Sequence, residues 1–182
     1  MNSVPEEERF SKNASIMTQA IQESVSKLYK EGYKTVDPNM VALAAGFISA
    51  FDKNFLIQGF IQNSHNTCWD KIKERDEDFM INNSGDIFKY LPMDKVSLFR
   101  DLFLTKDDMG ESVVPDSLKE QLWDILGAMV KISIKYIHKH RSPFSKIDSS
   151  GNEVRGYKNS FFDQVDVPYH TKVWGIAIEF PR

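Results

Sequence analysis

The chain has 182 residues and a mass of 21.0 kDa, a length that favours one domain rather than several. Hydrophobic residues make up 41% of it and charged residues 27%, the composition of an ordinary globular protein. Lys and Arg total 23 against 26 Asp and Glu, so the net charge is −3. This balance argues against a strongly basic nucleic-acid coat and against an acidic solubilising tail.

The N-terminal sequence is acidic and lacks the basic and apolar segments of a secretory signal. No apolar run approaches the ~18 residues that a membrane span needs, so no membrane partner is expected. Cys68 is the single cysteine, which excludes an internal disulfide. These features predict an intracellular location, cytoplasmic or nuclear. The leaning toward Lys, Asn, Ile, Asp and Phe is typical of AT-rich genomes, including those of large DNA viruses, so a virion component is also considered.

In chain order, the sequence predicts a disordered N-terminal arm over residues 1–13, a helical domain over 14–141 and a C-terminal arm over 142–182. The first helix is expected to begin near Ser15, where apolar residues start to recur at helical spacing, and to end at Gly32.

The second helix has the clearest start, because Asp37 can cap it and Pro38 suits the first helical position. Small residues keep one of its sides thin, so that a neighbouring helix can approach closely: Ala42, Ala45, Gly46 and Ser49. A helical pattern then covers residues 54–82, and a break is expected over 82–85.

Shorter helices are predicted over 86–91 and 95–104. The longest helix is expected over 118–141, because Ser117 and Glu120 form a capping box ahead of a long apolar pattern. Its apolar face is too broad for a surface helix, which predicts the central helix of a bundle.

The C-terminal arm differs in kind, since large and small residues alternate over 173–180 as in a strand. A weaker strand candidate covers 153–157. Because an isolated hairpin is marginally stable, the strand is expected to pair with this candidate, lie on the helices or pair with another chain. The predicted fold is therefore mainly α, a compact bundle of about six helices around a long central helix, with a C-terminal extended arm containing one or two short β-strands.

No catalytic, cofactor-binding or metal-binding motif is present in the sequence. The first hypothesis is therefore a non-enzymatic protein–protein interaction or assembly protein that self-associates or docks on a protein partner through its aromatic arm, because aromatic side chains concentrate at interfaces. The partner-binding residues predicted in the arm are Phe161, Phe162, Trp174, Ile176, Ile178 and Phe180.

Two alternatives stay open. A basic stripe at the end of the long helix, Lys131, Lys135, Lys139 and Arg141, would suit a nucleic-acid accessory protein that tracks phosphates. An enzyme or small-molecule binder without a recognisable motif would instead need a pocket with convergent polar groups near His65, Cys68 and Asp70. For Cys68 and His65 alone, a core thiol and a polar edge are the favoured interpretation.

Overall fold

The computed structural model describes residues 4–87, 89, 98–140, 142–158 and 165–177, and the protein is mainly helical, as the sequence predicts. Eight helices lie within these residues: α1 (Glu6–Lys30), α2 (Pro38–Ala50), α3 (Lys53–Ser64), α4 (Trp69–Glu74), α5 (Glu77–Ile87), α6 (Leu98–Leu104), α7 (Asp116–Lys139) and α8 (Val167–Val173). Strands β1 (Ser142–Ile147) and β2 (Glu153–Lys158) pair antiparallel between α7 and α8, with Ser142 opposite Lys158 and Ile147 opposite Glu153.

Helix α1 begins at Glu6, well before the predicted start at Ser15, so residues 6–13 are helical rather than part of a disordered arm. The reason is a single aromatic anchor. Phe10 is 1% exposed and its ring centroid lies 5.2 Å from that of Phe60 in α3. Three glutamates in the first turn also suit the positive end of the helix dipole. The prediction was wrong here because it depended on local hydrophobic content.

Helix α7 buries a broad apolar face against α1, and α1 also packs on α2 and α3. The hydroxyl of Tyr136 ties α7 to α3. It donates to Asn54 Oδ1 at 2.9 Å and accepts from Gln58 Nε2 at 3.0 Å. Since Tyr136 is 2% exposed, both bonds satisfy a polar group that burial would otherwise make costly.

The continuous helical pattern over 54–82 is divided among α3, α4 and α5. Arg75, with φ of 55°, ends α4 in the left-handed conformation. Asp76 then accepts a bond from Phe79 N at 3.0 Å in the first turn of α5. The break predicted over 82–85 is helical, because α5 continues to Ile87.

The two predicted shorter helices lie only partly within the described residues. The helix predicted over 86–91 overlaps the end of α5, and its residues 88, 90 and 91 lie outside the described residues. Of the helix predicted over 95–104, α6 covers the part from Leu98 onward, and residues 95–97 lie outside the described residues.

The strand predicted over 173–180 does not form over 173–177, and residues 178–180 lie outside the described residues. Val173 ends α8, and Gly175 follows with φ of 64°. Asp166 caps the start of this helix by accepting from Tyr169 N at 3.1 Å. An Asp-x-Pro start and a glycine just past the end are helix signals. They override the alternation of large and small residues.

Candidate functional site

One side of α2 faces solvent with apolar and small residues. No charged residue occurs between Pro38 and Phe51. Val41, Ala44 and Ile48 point into the core. The exposed residues on the remaining surface form what is called here the α2 outer face: Asn39, Ala42, Leu43, Gly46, Ser49 and Ala50.

The α2 outer face is open. Leu43 is 54% exposed, and a Cβ atom placed on Gly46 would meet nothing within 4 Å beyond its neighbours in the chain and the backbone of its own helix. Aromatic side chains continue the apolar surface past the end of the helix, since the ring centroids of Phe51 and Phe55 lie 5.3 Å apart and Phe55 is 44% exposed. A soluble domain usually covers such a surface.

Within the described residues, no single helix has the length and apolar composition that a membrane crossing requires. The two successive helices α2 and α3 meet that requirement when they are taken together, with a bend of 111° between them. Most of the apolar residues of α3, including Leu56, Ile57 and Phe60, are buried in the core.

A polar cleft of about 510 Å³ lies where the end of α3, the α3–α4 turn and α5 meet. Cys68 is 1% exposed at this cleft. Burial raises the pKa of the Cys68 thiol, Asp86 raises it further, and a contact of 3.1 Å between Sγ and Thr67 Oγ1 opposes the shift only in part. The group is therefore a thiol rather than the thiolate that nucleophilic chemistry requires.

Four carboxamide side chains line this cleft: Gln62, Asn63, Asn66 and Asn83. Asn63 Nδ2 donates to Gly59 O at 2.7 Å, and Asn83 Nδ2 donates to Phe79 O at 2.8 Å. Both bonds run back along the side chain's own helix and fix its orientation. Gln62 and Asn66 form no side-chain hydrogen bond with the rest of the described chain.

Two buried histidines form a second cluster, where α8 packs on the α3–α4 region. His65 is 8% and His170 5% exposed. The ring centroid of Trp69 lies 6.4 Å from that of His65 and 4.7 Å from that of His170. The Nδ1 atoms of both histidines have no hydrogen-bond partner among the described residues. Beside them, Asp70 Oδ2 accepts from the hydroxyl of Tyr169 at 3.0 Å.

Both imidazoles are held neutral. Burial lowers the pKa of His65, and the nearby His170 lowers it further. Burial also lowers the pKa of His170, although Asp70 and Asp166 act in the opposite direction. In the described part of the chain, no three His, Cys, Asp or Glu side chains are placed to hold a metal ion.

The candidate pocket around His65, Cys68 and Asp70 does not form as one unit. Cys68 lines the polar cleft, whereas neither His65 nor Asp70 does. The Cys68 thiol contacts Thr67 instead of an imidazole. The structure therefore places a cleft beside Cys68 but assembles no thiol–imidazole pair from these residues.

The basic stripe is partly neutralised by the chain itself. Lys139 Nζ lies 3.0 Å from Glu6 Oε2, so one of the cations of the stripe is paired with a carboxylate at the start of α1. Lys131 lines a cavity of about 290 Å³ that Asp124 also lines. Lys135 is exposed, and Arg141 lies outside the described residues. The pairing of Lys139 reduces the charge available for phosphates.

The predicted partner-binding residues of the arm are placed only in part. Trp174 is 6% exposed and belongs to the core, and Ile176 packs against the core. The Nζ atom of Lys73 lies 5.2 Å from the centroid of the Trp174 ring. Trp174 therefore packs on its own domain, and its role in binding a partner stays a prediction. Phe161, Phe162, Ile178 and Phe180 lie outside the described residues.

The sequence predicted a thin side of α2 that a neighbouring helix can approach closely, without indicating which helix that is. The absence of charge on every side of α2, together with its short length, was the sequence feature that indicated an exposed apolar face. No protein-family model matches the chain, and no curated protein or solved structure matches it either.

Proposed function

We propose that this protein is a non-enzymatic interaction and assembly protein that associates with a second copy of itself through the α2 outer face. The observation that carries the proposal is the exposure of a helix face without a single charge. Scattered exposed apolar residues are normal on a protein surface. A contiguous apolar face on one helix, extended by Phe51 and Phe55, instead favours an interface.

A second copy fits this face better than a charged partner does. The face carries no charge that would select an oppositely charged surface. Ala42, Gly46 and Ala50 recur every four residues along it, so that a ridge of the facing helix can pack closely in the shallow row that they form. A two-fold axis through the middle of α2 would place the same residues on both sides of the contact.

An antiparallel arrangement suits the two helix dipoles, which oppose one another favourably in that direction. The charges that flank α2 select no direction by themselves, because Asp37 caps its start and the exposed neighbours Asp52 and Lys53 follow its end. The apolar face therefore supplies most of the attraction.

The extent of the face predicts a moderate affinity. Helix α2 has 13 residues, which corresponds to a length of about 20 Å. A stable interface buries about 800 Å² on each partner, more than a single short helix offers. With Phe51 and Phe55 included, we expect a dissociation constant on the order of micromolar. The dimer would then form or dissociate with protein concentration.

The experiment is the native mass of the full chain, measured by light scattering during size-exclusion chromatography at several concentrations. The wild type is expected to be a dimer at high concentration, and Leu43→Lys a monomer, because a lysine would be buried without a partner at the centre of the contact. Met109→Lys is the matched control. Met109 is 85% exposed on a loop, so this variant should dimerise like the wild type.

A wild type that stays monomeric at hundreds of micromolar concentration would overturn the proposal, as would a Leu43→Lys variant that dimerises normally while its circular dichroism is unchanged. Co-sedimentation of the monomer with phosphatidylcholine–phosphatidylserine vesicles would also overturn it, because the face would then belong to a lipid surface. Ala42→Lys, on the same face, provides a second variant should Leu43→Lys lose its helicity.

A further inference from the structure

The cleft beside Cys68 is lined mainly by neutral hydrogen-bonding groups. Four carboxamides surround a volume of about 510 Å³, a size that small-molecule sites commonly have. Three structural elements contribute them: Gln62 and Asn63 come from α3, Asn66 from the following turn and Asn83 from α5. Because the whole of α4 separates Asn66 from Asn83 in the sequence, only the folding of the chain brings these four side chains together.

In two of these amides, hydrogen bonds define which terminal atom is the nitrogen and which is the oxygen. Because Asn63 Nδ2 and Asn83 Nδ2 each donate to a backbone carbonyl four residues earlier, the assignment of nitrogen and oxygen in these side chains follows from their partners. Each side chain therefore has its Oδ1 atom left as an acceptor. A ligand bound by these two acceptors must bring hydrogen-bond donors, such as hydroxyl groups.

The cleft is also electrically balanced. Asp86 and Lys89 contribute one charge of each sign, and Cys68 is a neutral thiol. A strongly anionic or cationic ligand would gain little from this arrangement. The half-buried ring of Phe79 adds the apolar surface in the lining, and the Nζ atom of Lys71 lies 5.7 Å from the centroid of this ring.

From this geometry we propose that the cleft between α3 and α5 binds a ring sugar, either free or as the ribose of a nucleoside. The hydroxyl groups of the sugar would donate to the Oδ1 atoms of Asn63 and Asn83. The flexible amides of Gln62 and Asn66, which are exposed at the rim, would complete the hydrogen bonding. Because the cleft is open and polar, we expect a dissociation constant on the order of millimolar.

The test is a titration of the full ¹⁵N-labelled chain, followed by nuclear magnetic resonance, with glucose, galactose, mannose and N-acetylglucosamine in one arm and adenosine and cytidine in the other. Binding should shift backbone signals of residues 62–68 and 79–87 and the side-chain amide signals of Gln62 and Asn66. The two arms distinguish a free sugar from a nucleoside, and saturation in either arm supports the proposal.

The double variant Gln62→Ala, Asn66→Ala should weaken binding about five- to tenfold, the loss expected for one or two neutral hydrogen bonds. Its folding should be unaffected, because neither side chain bonds to the described chain. Gln121→Ala is the matched control, since Gln121 lines the separate groove of about 460 Å³ between α1 and α7.

No saturable shift with any of the six probes would overturn the proposal. Shifts that fall outside the cleft, or a double variant that binds as tightly as the wild type, would overturn it as well. None of these results depends on the oligomeric state, so the cleft and the α2 outer face are tested independently.

Discussion

The indole of Trp174 packs on Gly127: a Cβ atom at position 127 would lie 3.5 Å from Cζ3 of Trp174. Gly127 lies inside α7, and Trp174 is the C-terminal cap of α8. The contact therefore joins α8, the last described helix, to α7. Val165 and Val167 are also buried in the core, so residues 165–177 pack on the helices.

Two substitutions of Gly127 should have opposite effects on stability. Gly127→Ala should raise the free energy of unfolding by about 0.5–1 kcal/mol, because glycine disfavours a helix interior and the methyl group would meet Trp174 at an ordinary contact distance. Gly127→Leu should lower it by about 1–3 kcal/mol, because the larger side chain displaces the indole. Urea denaturation followed by tryptophan fluorescence measures both, and equal losses in the two variants would contradict the described contact.

Trp174→Ala should lower the free energy of unfolding by about 3 kcal/mol, the usual loss for a large aromatic residue removed from a core. The native mass at a given concentration should not change, since Trp174 takes no part in the proposed dimer contact. Ile147→Ala serves as the comparison: Ile147 is 68% exposed, and its variant should change stability by less than about 0.5 kcal/mol. A Trp174→Ala variant with wild-type stability and an altered mass would instead support the prediction that this residue binds a partner.

Local signals made parts of the fold predictable. Asp37 and Pro38 marked the start of α2 because cap chemistry depends on adjacent residues. The helix predicted over 118–141 matches α7 to within two residues at each end, since its apolar periodicity is long. Such features can be recognised in the sequence without knowing which segments pack together.

Other parts depended on contacts between distant segments. Phe10 extends α1 because Phe60 receives it, and nothing near Phe10 in the sequence announces that. The same limit applies to the candidate sites, since Asn63 and Asn83 are unremarkable until α3 and α5 are placed together. The end of α8 was mistaken for a strand for a different reason, because the alternation of large and small residues was preferred to the local cap signals at Asp166 and Gly175.

The ion pair between Lys139 and Glu6 should make only a small contribution to stability. Glu6 Oε2 lies 3.0 Å from Lys139 Nζ, with the lysine side chain 51% and the glutamate side chain 14% exposed. Burial alone would raise the pKa of Glu6, but the bond from Lys139 and the neighbouring backbone lower it overall. A double-mutant cycle with Glu6→Gln and Lys139→Gln should give a coupling of about 0.5 kcal/mol that shrinks at high salt.

The same pair gives a test of the nucleic-acid alternative. If the stripe bound phosphates, Glu6→Gln would free Lys139 and raise the affinity for a fluorescent oligonucleotide, with a steep dependence on salt. We expect no such binding in the wild type or in the variant, measured by fluorescence anisotropy at low salt. Binding that increases in Glu6→Gln and falls in Lys131→Gln would show that the stripe is a nucleic-acid surface.

The two buried histidines should make the protein less stable as the pH falls below neutrality. In the folded chain the pKa values of His65 and His170 are both below their ordinary value of 6.5, which the unfolded chain retains. Below about pH 6.5 the unfolded state therefore binds more protons than the folded state, so the free energy of unfolding becomes smaller as the pH falls. Their contribution to stability is complete above 6.5 and is lost as the pH falls toward the lower pKa values of the folded state.

Urea denaturation between pH 5 and pH 7.5 measures this dependence. His65→Gln and His170→Gln should each reduce the slope, because a glutamine at either position has no proton to take up. Carboxylates titrate mostly below this range, so a slope that survives in both buried variants would show that the imidazoles beside Trp69 are not its source.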